Sequence, residues 1–172
     1  MRNIVLTGFM ASGKTEIGKQ LACLTGMAFV DTDAMVEEAA GCTINAIFEN
    51  QGEPVFRQLE TEAVRRAAAL SGAVISTGGG VVLRRENIEI LRKTGVIVNL
   101  ELPEGVLLAR MRDAGGTRPL LREDTQAIFR RLQERKPFYD CCDVQIRVSN
   151  EKKPLEHAEE ILKRLDFFPK IE

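Results

Sequence analysis

The chain has a single histidine in 172 residues, only four cysteines, and almost no excess of either charge. Each shortage closes off a class of chemistry. His157 stands in the charged stretch "PLEHAEEILKRL", where a solvated helix face is expected and a His-based triad is excluded. Cys23, Cys42, Cys141 and Cys142 lack the C-x-x-C spacing of zinc and thioredoxin-like sites and read as buried or partly buried thiols. Lys plus Arg (24) balance Asp plus Glu (25), so no global field recruits nucleic acid or an anionic membrane. Any bound anion must be caught by a local site. No stretch approaches the roughly 20 apolar residues that cross a bilayer, and "MRNIVLTG" reaches glycine too early for a signal peptide, so a cytoplasmic address is expected.

What is present is the composition of one globular domain over 1–172, 44% hydrophobic and 28% charged. Short β-branched runs at 3–6, 27–30, 73–76, 96–100 and 144–148 predict strands. Helical patterns fall between them at 13–24, 34–39, 44–50, 54–70, 86–93, 104–112, 125–135 and 154–165. Pro54 suits a first helical position, Asp124 an N-cap, and Gly95 follows a Lys-bearing last turn. This alternation predicts an α/β fold built from βαβ units, with five parallel strands flanked by helices. Such sheets bind ligands at the strand tips.

After the first strand comes "GFMASGKT", residues 8–15, which matches G-x-x-x-x-G-K-[ST] between a strand and a helix. In that pattern the glycines let backbone N–H groups curl around phosphate oxygens and the helix N-terminus adds partial positive charge. Lys14 reaches the terminal phosphates and the Thr15 hydroxyl can ligate Mg²⁺. A nucleoside triphosphate site is expected; motors, switches and small-molecule kinases share it.

Further signals follow later strands. "FVDTDAM" places Asp31 and Asp33 two apart, so on extended backbone both carboxylates share one face; alternatively Asp33 caps a helix starting at Ala34. In "FRQLE", Arg57 and Glu60 stand three apart on a helix, where the glutamate can orient the guanidinium or the two can form a solvated ion pair. "DAGGTRPLL" puts Arg118 after two glycines and before proline, as a closing lid or an ordinary surface loop. Arg135 ends a helix that Pro137 terminates, where a cation can simply complement the helix dipole. Gly78, Gly79 and Gly80 in "STGGGVV" call for either a positive-φ turn or a group lying against bare backbone.

Taken in order, "GFMASGKT", "DTD", "FRQLE", "TGGGVV", "RPLL" and "RKPFY" resemble the shikimate kinase family, over about residues 3–165. The resemblance implies a three-layer αβα P-loop NTPase-like fold of the nucleoside monophosphate kinase type. Its phosphate loop would span 8–15, its substrate-binding region about 31–62 and its lid about 112–124. It also implies transfer of the γ-phosphate of ATP to the 3-hydroxyl of shikimate, with Mg²⁺ as cofactor and small molecules as the only partners. A monomer is expected.

Carried over by motif, ATP would be held by Ala11, Ser12, Gly13, Lys14, Thr15, Glu16, Arg118 and an adenine-side arginine, Arg112 or else Arg110. Thr15 and, through water, Asp31 would hold the metal. Asp33 would bind substrate hydroxyls and serve as the base, while Arg57 and Arg135 would grip the carboxylate. Gly78, Gly79 and Gly80 would let the ring approach the backbone, and Lys14 and Arg118 would stabilise the moving phosphoryl group. Ala11 departs from a common third glycine in the loop, and Glu16 from a small hydroxyl residue. Three other readings remain: a kinase of another polyol acid such as gluconate, a nucleoside monophosphate kinase, and a nucleotide-binding protein without activity.

Overall fold

Five apolar runs form the five expected strands: β1 (Asn3–Gly8), β2 (Ala28–Asp31), β3 (Ala73–Ser76), β4 (Gly95–Glu101) and β5 (Val144–Arg147). The computed structural model describes residues 2–113 and 125–166, with the backbone but not the side chains of Arg112 and Asp113. Arg118, the Asp124 cap and the lid expected at about 112–124 thus lie outside the described residues, as does the Arg112 side chain.

All strand pairs are parallel, in the order β2-β3-β1-β4-β5. β1 is buried along its whole length and β4 nearly so, as continuous apolar runs covered on both faces must be. The chain lays β2 and β3 on one side of β1, then crosses to lay β4 and β5 on the other. That reversal beside β1 opens the crevice in which open α/β sheets take ligands.

Among the described residues seven helices accompany the strands: α1 (Lys14–Thr25), α2 (Thr32–Ala40), α3 (Ile44–Ala68), α4 (Arg85–Thr94), α5 (Glu104–Asp113), α6 (Thr125–Arg135) and α7 (Pro154–Leu165). Short 3₁₀ turns follow β3 at Val81–Leu83 and α6 at Lys136–Cys141. The expected helices at 44–50 and 54–70 run on as one element, kinked where Gly52 takes φ 81° and ψ 170°. Pro54 then opens the second arm, where its missing N–H costs nothing.

The main core lies between sheet and helices and includes Leu6, Ile17, Leu21, Ile75, Ile97 and Leu100. Each such side chain contributes about 1.5–3 kcal/mol through burial. A smaller cluster of Val36, Ile47, Phe56 and Ala63 fastens α2 to α3. No helix among the described residues is long and apolar enough to cross a membrane.

Two expectations need correcting. His157 is only 1% exposed, because it shares the inward face of α7 with Ala158 and Ile161 despite the charged residues around it. Its Nε2 lies 3.3 Å from the Ser149 carbonyl. Of the four cysteines, all free thiols, Cys23 is exposed rather than buried, since it falls on the solvent side of α1.

The register brings the tips of three strands level. Ser76 pairs with Leu6 of β1 on one side and with Asp31 of β2 on the other. The segments that follow, "GFMASGKT", "DTD" and "TGGG", therefore stand side by side.

Candidate active site

The loop leaving β1 turns into α1 through Gly13, whose φ of 93° a side-chain-bearing residue adopts only under strain. Lys14 begins the helix and folds over the loop: its ammonium donates to the carbonyls of Gly8 at 2.8 Å and Phe9 at 2.9 Å. Burial lowers its pKa to about 8, against the pull of Asp33 and Asp31. Ser12 is fully buried beneath the loop, with its hydroxyl 3.4 Å from the Lys14 ammonium.

Asp31 ends β2 and caps α2. Its Oδ1 accepts from the Asp33 N–H at 3.0 Å, while Oδ2 accepts from the Thr15 hydroxyl at 3.2 Å. The cap is thus Asp31 and not Asp33, because α2 starts at Thr32 rather than Ala34. The two carboxylates accordingly do not share the face of an extended strand; Asp33 sits in the first helical turn. Both nevertheless line one cleft of about 450 Å³ with Lys14, Thr15, Glu16 and Gly79. Burial first, and then the neighbouring Asp31, pushes the Asp33 carboxyl up to about 6, while Lys14 pulls the other way.

Thr32, between the two aspartates, is buried and accepts the Gly78 N–H at 3.2 Å. This bond ties the "DTD" turn to the glycine run. None of Gly78, Gly79 and Gly80 has positive φ, so the run is not a turn requirement. Its cause is close approach. A Cβ on Gly78 would fall 2.5 Å from Asp33 Oδ1, and one on Gly80 would fall 2.6 Å from Arg57 Nη1. One on Gly79 would press the Met10 N–H of the phosphate loop at 3.3 Å.

Arg57 and Glu60 form a buried pair, 9% and 1% exposed, rather than a solvated one. Arg57 Nη1 donates to Glu60 Oε2 at 2.8 Å, and Nη2 donates to Glu53 at 3.0 Å. Burial opposes the guanidinium charge, but these carboxylates outweigh it and raise the Arg57 pKa. Burial also pushes the Glu60 carboxyl up, and its Oε1 has no hydrogen-bond partner.

At the end of α6, the Arg135 guanidinium stacks over Phe9, 5.9 Å from the ring centroid. Tyr139, four residues on, donates to the Gly79 carbonyl at 2.6 Å. Burial lowers the Arg135 pKa, and the charges of Arg131 and Arg57 add to that. The structure therefore brings together Lys14, Thr15, Asp31, Asp33, Arg57, Arg135 and the three glycines. Arg110 lies along the phosphate loop and donates to the Ala11 carbonyl at 2.6 Å.

The family model described as shikimate kinase matches residues 10–166. The chain belongs to the shikimate kinase family. A shikimate kinase of Caldicellulosiruptor bescii is 49% identical over 148 residues, 85% of this chain and 86% of that protein. One of Thermoanaerobacter pseudethanolicus is 46% identical over 165 residues, 95% of each. The solved shikimate kinase from Acinetobacter baumannii in complex with shikimate superposes with a TM-score of 0.87 at 34% identity, over 100% of this chain and 96% of that one.

Membership in the shikimate kinases fits the site's order along the chain. Two parts of the site, Thr32 and Tyr139, have no role that the motifs alone suggest. Thr32 sits inside "DTD", where a hydroxyl at a strand tip is a natural backbone partner and could have been singled out on that ground. Tyr139 stands four residues after Arg135, the spacing at which helical side chains meet.

Proposed function

We propose that this chain transfers the γ-phosphate of ATP to the 3-hydroxyl of shikimate, giving shikimate 3-phosphate and ADP on the route to chorismate and aromatic amino acids. The observation that carries this reading is a cleft lined by the lysine-bearing phosphate loop and by Asp31 and Asp33, with Arg57 against Gly80 and Arg135 over Phe9 next to it. Arg135 feels the repelling charge of the buried Arg57. A carboxylate between them relieves that repulsion, and two guanidinium forks suit its planar oxygens.

In this reading Arg57, held by Glu60 and Glu53, and Arg135, stacked over Phe9, orient the acid end of the ring. Asp33 holds ring hydroxyls. With a pKa of about 6 it is ionised at neutral pH and close enough to neutrality to accept the proton of the attacking alcohol. Lys14 stays protonated below about pH 8 and offsets charge on the terminal phosphates. Ala11, Ser12, Gly13 and Glu16 complete the nucleotide wall. Arg118 is assigned to the transferring phosphoryl group on the strength of its motif alone.

Among the described residues no three His, Cys, Asp or Glu side chains gather as a metal cage. That suits Mg²⁺, which keeps waters and phosphate oxygens and needs few protein ligands. Thr15 and Asp31, already hydrogen-bonded at 3.2 Å, offer the hard hydroxyl and carboxylate oxygens it takes. When bound, the ion neutralises charge on the phosphates. A cytoplasmic, monomeric enzyme follows from the same reading.

ADP release from Mg·ATP, measured against shikimate, gluconate and nucleoside monophosphates, tests the proposal. Release with shikimate alone is expected; faster release with gluconate would reassign the acceptor.

A further inference from the structure

The phosphate loop contains an anomaly that its chemistry does not require. Ala11 has φ 61°, and among the described residues it is the one non-glycine with positive φ. An L-residue populates the left-handed region about 5- to 30-fold less readily than its ordinary conformations. Glycine would hold that shape without penalty. Left to itself, an alanine here would drift toward negative φ and swing the Ala11–Ser12 peptide, part of the wall that faces the phosphates.

A chain of hydrogen bonds opposes that drift. The Ala11 carbonyl accepts a 2.6 Å hydrogen bond from Arg110 Nη1, and Arg110 Nε donates to Asn150 Oδ1 at 2.8 Å. A Cβ on Gly13 would lie 3.6 Å from the same Nη1, so the guanidinium runs along the loop past its second left-handed residue. The three partners come from the phosphate loop, from α5 and from the segment after β5. Ser149, next to Asn150, has its backbone against the buried His157 of α7, which anchors that segment to the body of the fold.

We propose that Asn150, acting through Arg110, is a positioning residue that clamps Ala11 in the left-handed conformation and so keeps the phosphate loop ready for nucleotide. The clamp does the work that a glycine at position 11 would do unaided. The inference rests on ATP binding at this loop, as proposed above. It concerns loop shape and is separable from any contact that Arg110 makes with the nucleotide itself.

A double-mutant cycle tests it. Asn150 is exposed, so N150A spares the core and can be verified by its melting temperature. The dissociation constant of Mg·ATP is measured for N150A in the Ala11 chain and in the A11G chain, without acceptor. A competent-loop fraction that falls about fivefold raises the apparent Kd by the same factor. The expected result is a rise of about fivefold with Ala11 in place and less than twofold in the A11G background. In turnover, KM for ATP rises while kcat at saturating ATP falls much less, as for lost ground-state organisation. An equal loss in both backgrounds, or no loss with Ala11, would overturn the clamp. A wild-type chain that binds no Mg·ATP would instead overturn the functional reading beneath it.

Discussion

The Asp33 carboxylate rests against the bare Cα of Gly78, so closely that a Cβ there would fall 2.5 Å from Oδ1. The relation between Gly80 and Arg57 Nη1, at 2.6 Å, is its counterpart on the cation side. In both cases the clashing atom is the end of a side chain, so an added methyl displaces the functional group rather than the backbone.

Gly78→Ala and Gly80→Ala therefore separate the two halves of the acceptor site. Gly78→Ala displaces Asp33, the proposed base, and its kcat is expected to fall by about tenfold or more, within the range for a mispositioned general base. Gly80→Ala displaces Arg57, and KM for shikimate is expected to rise by about tenfold while KM for ATP holds, the size of a lost charged hydrogen bond. Steady-state kinetics with each substrate varied in turn distinguishes the patterns; identical profiles for the two variants would refute the division.

Asp33→Asn should reduce kcat by about 10² to 10⁴. It should also stabilise the protein at pH 7.5. With a folded pKa raised to about 6 from 3.8, Asp33 binds its proton more tightly in the native state. Its contribution to stability is thus greatest at low pH and declines as pH rises from about 4 to about 6. Above that window the ionised group carries a penalty of order 1–3 kcal/mol, which the amide removes. Thermal melts at pH 4 and 7.5 measure it, the gain being confined to the higher pH.

The same cluster sets the pH dependence of turnover. On the proposed mechanism Asp33 acts ionised and Lys14 protonated, so kcat/KM is expected to be bell-shaped, with limbs near pH 6 and pH 8. These belong to Asp33 and Lys14 as an interacting pair rather than to either residue alone. Bound phosphates favour the charged lysine, so the basic limb of kcat should lie above that of kcat/KM.

Arg57→Ala should weaken shikimate binding by roughly 1.5–3 kcal/mol, the size of a lost charged hydrogen bond. It should also destabilise the fold by about 3–5 kcal/mol, since Glu60 would remain buried without its partner. Replacing both residues by apolar ones, Arg57→Met with Glu60→Leu, is expected to recover the melting temperature without recovering the binding. Recovery of both would remove Arg57 from the site.

The architecture was largely legible because it rests on local pattern. β3 matches the run at 73–76, and α6 and α7 match 125–135 and 154–165. Strand order was not legible, since five parallel apolar runs look alike in sequence. In the site, "GFMASGKT" announced itself through spacing, whereas the environment of each side chain did not. The Arg57–Glu60 pair reads as an exposed helix pair until the burial of that face of α3 is seen. His157 misled for the converse reason: a helix rich in charge still has one inward face, and a histidine beside Ala158 and Ile161 lies on it. The Asp31 cap was missed because strand and helix abut with no loop between them.

A crystal structure with Mg·ADP and shikimate bound together tests the central claim most directly. The expected result is the ring carboxylate between Arg57 and Arg135, the ring edge over Gly78 to Gly80, and the 3-hydroxyl within about 3 Å of Asp33, facing the phosphate loop. A ring bound away from the glycine run, or turned so that another hydroxyl faces Lys14, would contradict it.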